Sequence, residues 1–323
     1  SLYREYSRRV NDIYGQYTDL VESFGIDESW LDITGSMHLF GGDGKTVADR
    51  LRQRLREELG LTISVGVSFN KIFAKLGSDY KKPDATTVIP PDHWQEIVWP
   101  LPAGDLLGVG HSTQTLLRQY GIETIGQLAA FPRHALETLL GKHGAQLHDY
   151  ANGRDSSPVR PQHESEPVKS VGKGITFPRN LTRWEEVRAG LSMLCDSVAG
   201  RLRRQQLYCG GVALTIRDPQ FYQFSHQVRL DAPTHLQRDI YRAALTLAQQ
   251  SWHTPSPIRA LTVTALYLSD SADSFQQLDL LDSAAPQRND RQERLEQAMD
   301  TIRRKYGKDA ITFGNTGKLI DDE

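Results

Sequence analysis

Two adjacent carboxylates, Asp27 and Glu28, stand in the run GIDESWLDITG at residues 25–35, among apolar residues that predict a buried strand pair. Acids in such a setting cost desolvation free energy unless a cation meets them. Magnesium suits them, because it takes hard oxygen ligands and leaves positions open for substrate phosphates. In two-metal phosphoryl transfer one ion activates the attacking hydroxyl and the other steadies the leaving oxygen. An isolated Asp-Glu pair is more often a plain acidic turn, so the neighbouring residues decide.

Residues 67–83, VSFNKIFAKLGSDYKKP, supply the complementary charge. At about 100° per residue on a helix, Lys71, Lys75, Ser78 and Lys82 share one narrow stripe. Ile72, Phe73, Leu76 and Tyr80 gather opposite. One face then packs on a sheet while the other presents three ammonium groups. A lysine stripe alone is usually a wet face.

Residues 106–131, LLGVGHSTQTLLRQYGIETIGQLAAF, carry a helix-hairpin-helix signature. Gly108 and Gly110 bracket a tight turn feeding a helix that starts near Ser112; Gly121, Thr124, Gly126 and Leu128 continue the pattern. Backbone N–H groups at such a turn form a nest for a phosphate oxygen. A hairpin of this kind grips nucleic-acid backbone without reading bases. Nucleases and glycosylases use it too, so it does not name a reaction.

Farther on, basic residues fall on predicted strands. Lys169, Lys173 and Arg179 sit on or beside the first strand, and Arg217 and Arg229 end the central two. These five read as phosphate contacts. Arg201, Arg203 and Arg204 crowd a helix C-terminus, where the helix dipole is sufficient explanation.

The elements that must position these groups follow from hydrophobic periodicity. Val10, Ile13, Tyr14 and Tyr17 open the chain inside an amphipathic helix with no start signal before it. A strand is expected at 29–34, a helix bearing Val47, Leu51, Leu55 and Leu59 and closed by Gly60, a buried strand at 61–67, and a helix at 70–79. That order is half of an α/β sandwich. Short helices with glycine turns occupy 91–153, and the Pro-rich polar run at 155–168 reads as an interdomain linker. From residue 170 the order is strand, helix, hairpin around Asp218-Pro219, helix, strand: a βαββαβ, ferredoxin-like domain. Past Ser269 the chain reads as a loose tail with one late helix at 291–306.

Composition bounds the class. The 323 residues suffice for two or three domains, and 24% charged with 38% hydrophobic residues is ordinary for a soluble globular protein. No apolar run is long enough to span a bilayer and no signal peptide opens the chain, so no membrane partner is expected. Cys195 and Cys209 have no metal-site spacing and read as buried, reduced thiols in a cytoplasmic protein. The net charge of -2 is uneven: residues 167–230 carry ten Lys/Arg against four Asp/Glu. A basic block of that kind suits a polyanion.

The run at 25–35 resembles the second carboxylate motif of the Y-family (translesion) DNA polymerases, close to S-I-D-E-A-(F/Y)-L-D-(I/V)-T. Gly25 replaces the serine, Ser29 the alanine and Trp30 the smaller aromatic. The resemblance covers nearly the whole chain and is closest to the family's bacterial members. It implies a multidomain α/β (α+β) architecture: a partial palm at 1–90, a small helical helix-hairpin-helix thumb at 91–154, the linker at 155–168, a little finger at 169–269 and a flexible tail at 270–323. It implies Asp27 and Glu28 as metal ligands for two Mg2+ ions, with Asp32 structural. Lys82, just before Pro83, becomes the triphosphate-binding lysine, with Lys71 and Lys75 toward DNA. The implied reaction is template-directed addition of a deoxynucleotide to a primer 3′ end, across damaged bases, by a monomer. Residues 277–281, QLDLL, resemble the peptide by which bacterial polymerases bind the sliding clamp, with Gln277, Leu278, Leu280 and Leu281 as its anchors.

The family's opening palm strand, with its own metal-binding aspartate, and its fingers do not precede Ser1. A truncated, catalytically incomplete chain is therefore expected. Two other classes stay open: a DNA- and clamp-binding adaptor on a polymerase scaffold, and a helix-hairpin-helix nuclease, disfavoured because no second acid cluster accompanies the hairpin.

Overall fold

The computed structural model describes residues 2–162, 164, 167–270, 290–307 and 310–312. The chain divides into two compact units, Ser1–Ser165 and Glu166–Glu323, parted inside the predicted linker.

Unit 1 opens with α1 (Leu2–Tyr14), then an antiparallel ribbon of β1 (Val21–Ser23) and β2 (Ser29–Leu31). The strand expected at 29–34 is thus shorter, and its partner β1 has no period-2 run long enough to announce it. Next comes α2 (Gly44–Leu59), started by Asp43, whose carboxylate accepts from the Thr46 N–H, and closed by Gly60 as read from sequence. β3 (Val65–Ser68) pairs in parallel with β4 (Thr86–Ile89) around α3 (Lys71–Tyr80), capped by the Asn70 side chain on the Phe73 N–H. The expected strand at 61–67 begins four residues later and is half-buried rather than buried.

Ile13, Tyr17, Val47, Leu51 and Leu55 form one small core between α1 and α2. A second core joins α3 and β4 to α4 (Trp94–Val98), α5 (His111–Gln119), α6 (Ile125–Ala130), α7 (Arg133–Leu140) and α8 (Lys142–Ala151). The helices read as a thumb therefore share buried side chains with α3, including Phe73 and Leu76.

Unit 2 holds β5 (Val171–Leu181), α9 (Trp184–Arg204), β6 (Tyr208–Arg217), β7 (Gln223–Thr234), α10 (Gln237–Ser251), β8 (Ile258–Ser269) and α11 (Asp290–Tyr306). The βαββαβ order is the expected one. The sheet runs β5-β8-β6-β7 with every pairing antiparallel, so the last strand lies between the first and the second. Val212, Leu214, Ile216, Leu261 and Val263 project to the helix-covered side, where they pack with Val187, Leu191 and Ile240. By alternation, Ala213, Thr215, Arg217, Thr262 and Thr264 lie on the open face.

α11 is part of this unit rather than a loose end. Arg203, almost fully buried, pairs with Glu296 and places its Nε 2.6 Å from Asp300 Oδ2. Glu296 also accepts from the Gln237 N–H, and Met299 is buried. The dipole explanation offered for Arg203 gives way to this pairing. Cys195 and Cys209 are buried free thiols, as expected; burial pushes the Cys209 thiol up to about 12. Among the described residues no helix is long and apolar enough to cross a membrane.

Candidate functional site

Asp27 and Glu28 occupy the turn between β1 and β2, closed where the Phe24 N–H donates to the Glu28 carbonyl at 2.8 Å. The turn needs a left-handed residue, and Gly25 supplies it at φ 93°. Ser29 donates to Asn11 Oδ1 at 2.8 Å, and the Trp30 indole donates to the Lys71 carbonyl at 3.0 Å with the Lys71 ammonium 4.8 Å above its ring. Ser29 and Trp30 thus each have a local partner. Asp32 accepts from the Thr34 N–H at 2.9 Å.

The expectation of buried acids is corrected. A ribbon of two three-residue strands is too small to enclose its own turn, so Asp27 is exposed and Glu28 half-exposed. Both line a cavity of about 490 Å3 together with Lys75, Lys82, and residues of β2 and β3. Neither of those two strands has a second neighbour among the described residues.

The lysine stripe divides by environment. Lys71 is nearly buried, donating to Glu22 Oε2 at 2.6 Å and to the Pro158 carbonyl at 3.0 Å. It lies outside the cavity lining and is engaged within unit 1. Glu22 also takes the Arg160 N–H at 2.9 Å and the Arg160 guanidinium at 3.1 Å, which pins the start of the linker to the unit. Burial would raise the Glu22 carboxyl, but hydrogen bonds from Lys71 and Arg160 outweigh it and hold it down to about 2. Lys75 lies 3.0 Å from Glu28 Oε1 and 2.7 Å from Asp79 Oδ2. Lys82, past the end of α3, is 53% exposed and 2.6 Å from Asp79 Oδ1. Of the three lysines it is the one most open to a ligand.

In the thumb helices, Gly110 caps α5, and the Gln114 N–H donates to its carbonyl at 2.9 Å. Among the described residues nothing accepts from the N–H groups of residues 110–113, the orphans every helix start leaves. A Cβ on Gly110 would meet nothing within 4 Å.

In unit 2, Arg217 and Arg229 are exposed on the open sheet face. Arg217 donates to Gln223 Oε1 at 2.7 Å, and the Arg229 guanidinium stacks 4.1 Å from the Tyr267 ring centroid. Lys173 differs from expectation: it registers with Val263, on the helix side of the edge strand, where it is exposed. Arg179 is 2.6 Å from buried Glu186, an acid that burial would raise but that N–H groups of Thr182 and Arg183 and the two guanidiniums hold down to about 2. Lys169 precedes β5 and is exposed. Tyr267 and Gln227, which donates to the Tyr267 hydroxyl at 3.2 Å, were not singled out from sequence. Neither residue type marks a phosphate site, and only the register brings them beside Arg229.

Comparison with known proteins decides the identity. The impB/mucB/samB family matches residues 1–79 and its C-terminal domain residues 168–280, while the DNA polymerase-iota thumb domain matches 104–155. The chain is 41% identical over 314 residues to a DNA polymerase IV of Acetivibrio thermocellus, covering 97% of this chain and 78% of that protein. The chain belongs to the DNA polymerase IV group of the Y-family DNA polymerases. A DNA polymerase IV of Bacillus subtilis is similar as well, 34% identical over 316 residues, with 98% and 75% covered. A chimeric Y-family DNA polymerase of known structure matches in fold with a TM-score of 0.70 at 21% identity, over 84% of this chain and 77% of its own. The activity of the DNA polymerase IV group is DNA-directed, error-prone DNA synthesis in damage bypass. The match at 104–155 falls on the helix-hairpin-helix read from sequence.

Proposed function

We propose that the cavity bearing Asp27, Glu28, Lys75 and Lys82 is where a deoxynucleoside triphosphate is joined to the primer 3′ end. One observation supports this reading above the others: two acids on a hairpin turn and two lysines from a separate helix region line the same space. The acids come from a turn and the lysines from a helix region; Lys75 and Glu28 are 47 residues apart in sequence, yet these opposite charges meet around one open cavity.

The donor chemistry fits a hard divalent cation. The Asp27 carboxylate has no hydrogen bond or ion pair among the described residues, and only one oxygen of Glu28 is engaged by Lys75. Asp27 and Glu28 would hold magnesium, two ions in the working enzyme, with further oxygens from substrate and water. When bound, the metal neutralises phosphate charge and favours the ionised 3′ hydroxyl. Lys75 keeps the Glu28 carboxylate oriented. Lys82 binds the triphosphate, releasing Asp79 as it does so.

Primer–template DNA is held by backbone contacts. The N–H groups at 110–113, with Gly108 and Gly110 shaping the turn, donate to a phosphate. On the little finger, Arg217 and Arg229 serve the open sheet face, while Lys173 lies on the helix side and Arg179 is taken up by Glu186. The clamp-binding peptide, Gln277, Leu278, Leu280 and Leu281, lies outside the described residues and is carried on its sequence alone. No finding favours an adaptor without catalysis.

The test is single-nucleotide incorporation by the protein as expressed from its own gene, on templates presenting each base in turn. Magnesium-dependent insertion that follows the template base is expected. Tight DNA binding with no insertion on any template would overturn the reading.

A further inference from the structure

His143 stands on the first turn of α8, outside the helix-hairpin-helix motif. Its Nε2 lies 3.0 Å from the Gly108 carbonyl. We propose that His143 is the positioning residue of the hairpin, fixing the peptide plane from which the phosphate-binding amides project; this rests on the reading of that hairpin as a DNA grip.

The geometry points to it from three sides. First, Gly108 is in a left-handed conformation, φ 95°, and a Cβ there would lie 3.2 Å from both His143 Cε1 and Leu147 Cδ2. His143 and Leu147 are four residues apart on α8 and so form one wall against the turn. Leu147 is fully buried, which anchors that wall. Second, the peptide joining Gly108 to Val109 is held at both ends. Its carbonyl receives Nε2–H of His143, and its N–H donates to the Leu106 carbonyl at 3.0 Å. A peptide unit is planar, so two fixed ends leave it one orientation. Val109 is buried as well. Third, the next residue faces the other way, because Gly110 has open space around its Cβ position and an unengaged N–H among the described residues. The turn has a locked inner side and a free outer side, and His143 supplies the only side-chain hydrogen bond to Gly108 among the described residues.

His143 acts here by donating to the Gly108 carbonyl and makes no contact with the phosphate itself. It adds no charge to the phosphate contact, and this separates positioning from direct binding. Contacts by neutral amides release few counterions, whereas each phosphate neutralised by a cation adds about 0.9 to the salt slope of duplex binding.

The experiment is a fluorescence-anisotropy titration of labelled primer–template duplex across a salt series, with three variants and a melting curve for each. His143→Ala is expected to weaken binding by roughly three- to tenfold, the span of one ordinary hydrogen bond, with an unchanged salt slope. His143→Gln, whose amide also donates, should restore most of the loss. Gly110→Asp, which sets a carboxylate at the phosphate position, should weaken binding more than either. Unaltered affinity in His143→Ala, with Gly110→Asp impaired, would overturn the positioning role alone. A salt slope lowered by about 0.9 in His143→Ala would overturn it too, making His143 a direct cationic contact. No effect from Gly110→Asp would instead remove the hairpin reading on which it rests.

Discussion

The Lys75 ammonium stands 3.0 Å from Glu28 Oε1 and ties α3 to the acidic turn between β1 and β2. Burial alone would lower the Lys75 pKa, but the hydrogen bonds it donates to Asp79 and Glu28 raise it above the ordinary lysine value, so it stays charged. Lys82 shares Asp79 yet is far more exposed. The two lysines therefore have different roles in the account. Lys82→Ala is expected to raise the KM for incoming nucleotide by about ten- to a hundredfold, as loss of a charge-assisted hydrogen bond would. Lys75→Ala is expected to lower kcat with little change in KM, by loosening Glu28. Steady-state single-nucleotide kinetics on the protein as expressed from its own gene separates the two, and equal effects on KM would contradict the division.

Glu22 links the palm ribbon, α3 and the linker through Lys71 and Arg160. Its carboxyl is depressed in the folded chain from 4.5 to about 2. A depressed acid contributes stability that is complete above the unfolded value, and that contribution is lost as pH falls from about 4.5 toward about 2. Glu22→Gln should lower stability near neutral pH and flatten this part of the acid limb. Lys71→Ala should cost about 1–3 kcal/mol for the lost charged hydrogen bond. Denaturation midpoints across the acid range check both.

Basic residues in the little finger should split into two groups. Arg217→Ala and Arg229→Ala are each expected to reduce the salt slope of duplex binding by about 0.9, equally on all sequences. Arg179→Ala should act chiefly on stability, because Arg179 serves Glu186 at the start of α9. Salt-series titrations with melting curves read both. A slope change for Arg179 and none for Arg217 or Arg229 would reverse the grouping.

The clamp peptide has a single test. Replacing Gln277, Leu278 and Leu281 by Ala should abolish binding to the bacterial sliding clamp at unchanged melting temperature. A lower melting temperature with clamp affinity retained would mean the leucines pack within the chain.

Legibility in the sequence followed the strength of local signals. Long amphipathic helices were plain: Val187, Leu191, Leu194 and Val198 recur along α9, and all are buried as their spacing demands. Capping chemistry placed the end of α2 at Gly60. Short strands were not legible, since three residues of β1 cannot show an alternation. The strand order of unit 2 also lay beyond periodicity, because it depends on pairing across nearly a hundred residues, as between Val171 and Ala265. Among site residues, the motif placed Asp27 and Glu28 but misjudged their burial, which depends on what surrounds the ribbon. The stripe placed Lys71, Lys75 and Lys82 alike, although Glu22, remote in sequence, engages only Lys71. Arg203 was misread for the same reason: Glu296 and Asp300 are more than ninety residues away.

The central claim is that Asp27 and Glu28 hold the catalytic metal, and primer extension by alanine variants of each, in the protein as expressed from its own gene, tests it most directly. Both carboxylates lie at an accessible turn, so melting temperature should stay within a degree or two of the unaltered protein, as surface substitutions usually allow. Magnesium-dependent synthesis should fall by about three orders of magnitude or more in each variant, as loss of a group acting on developing charge does. Synthesis at the unaltered rate in both would contradict the assignment and move the active site away from the β1–β2 turn.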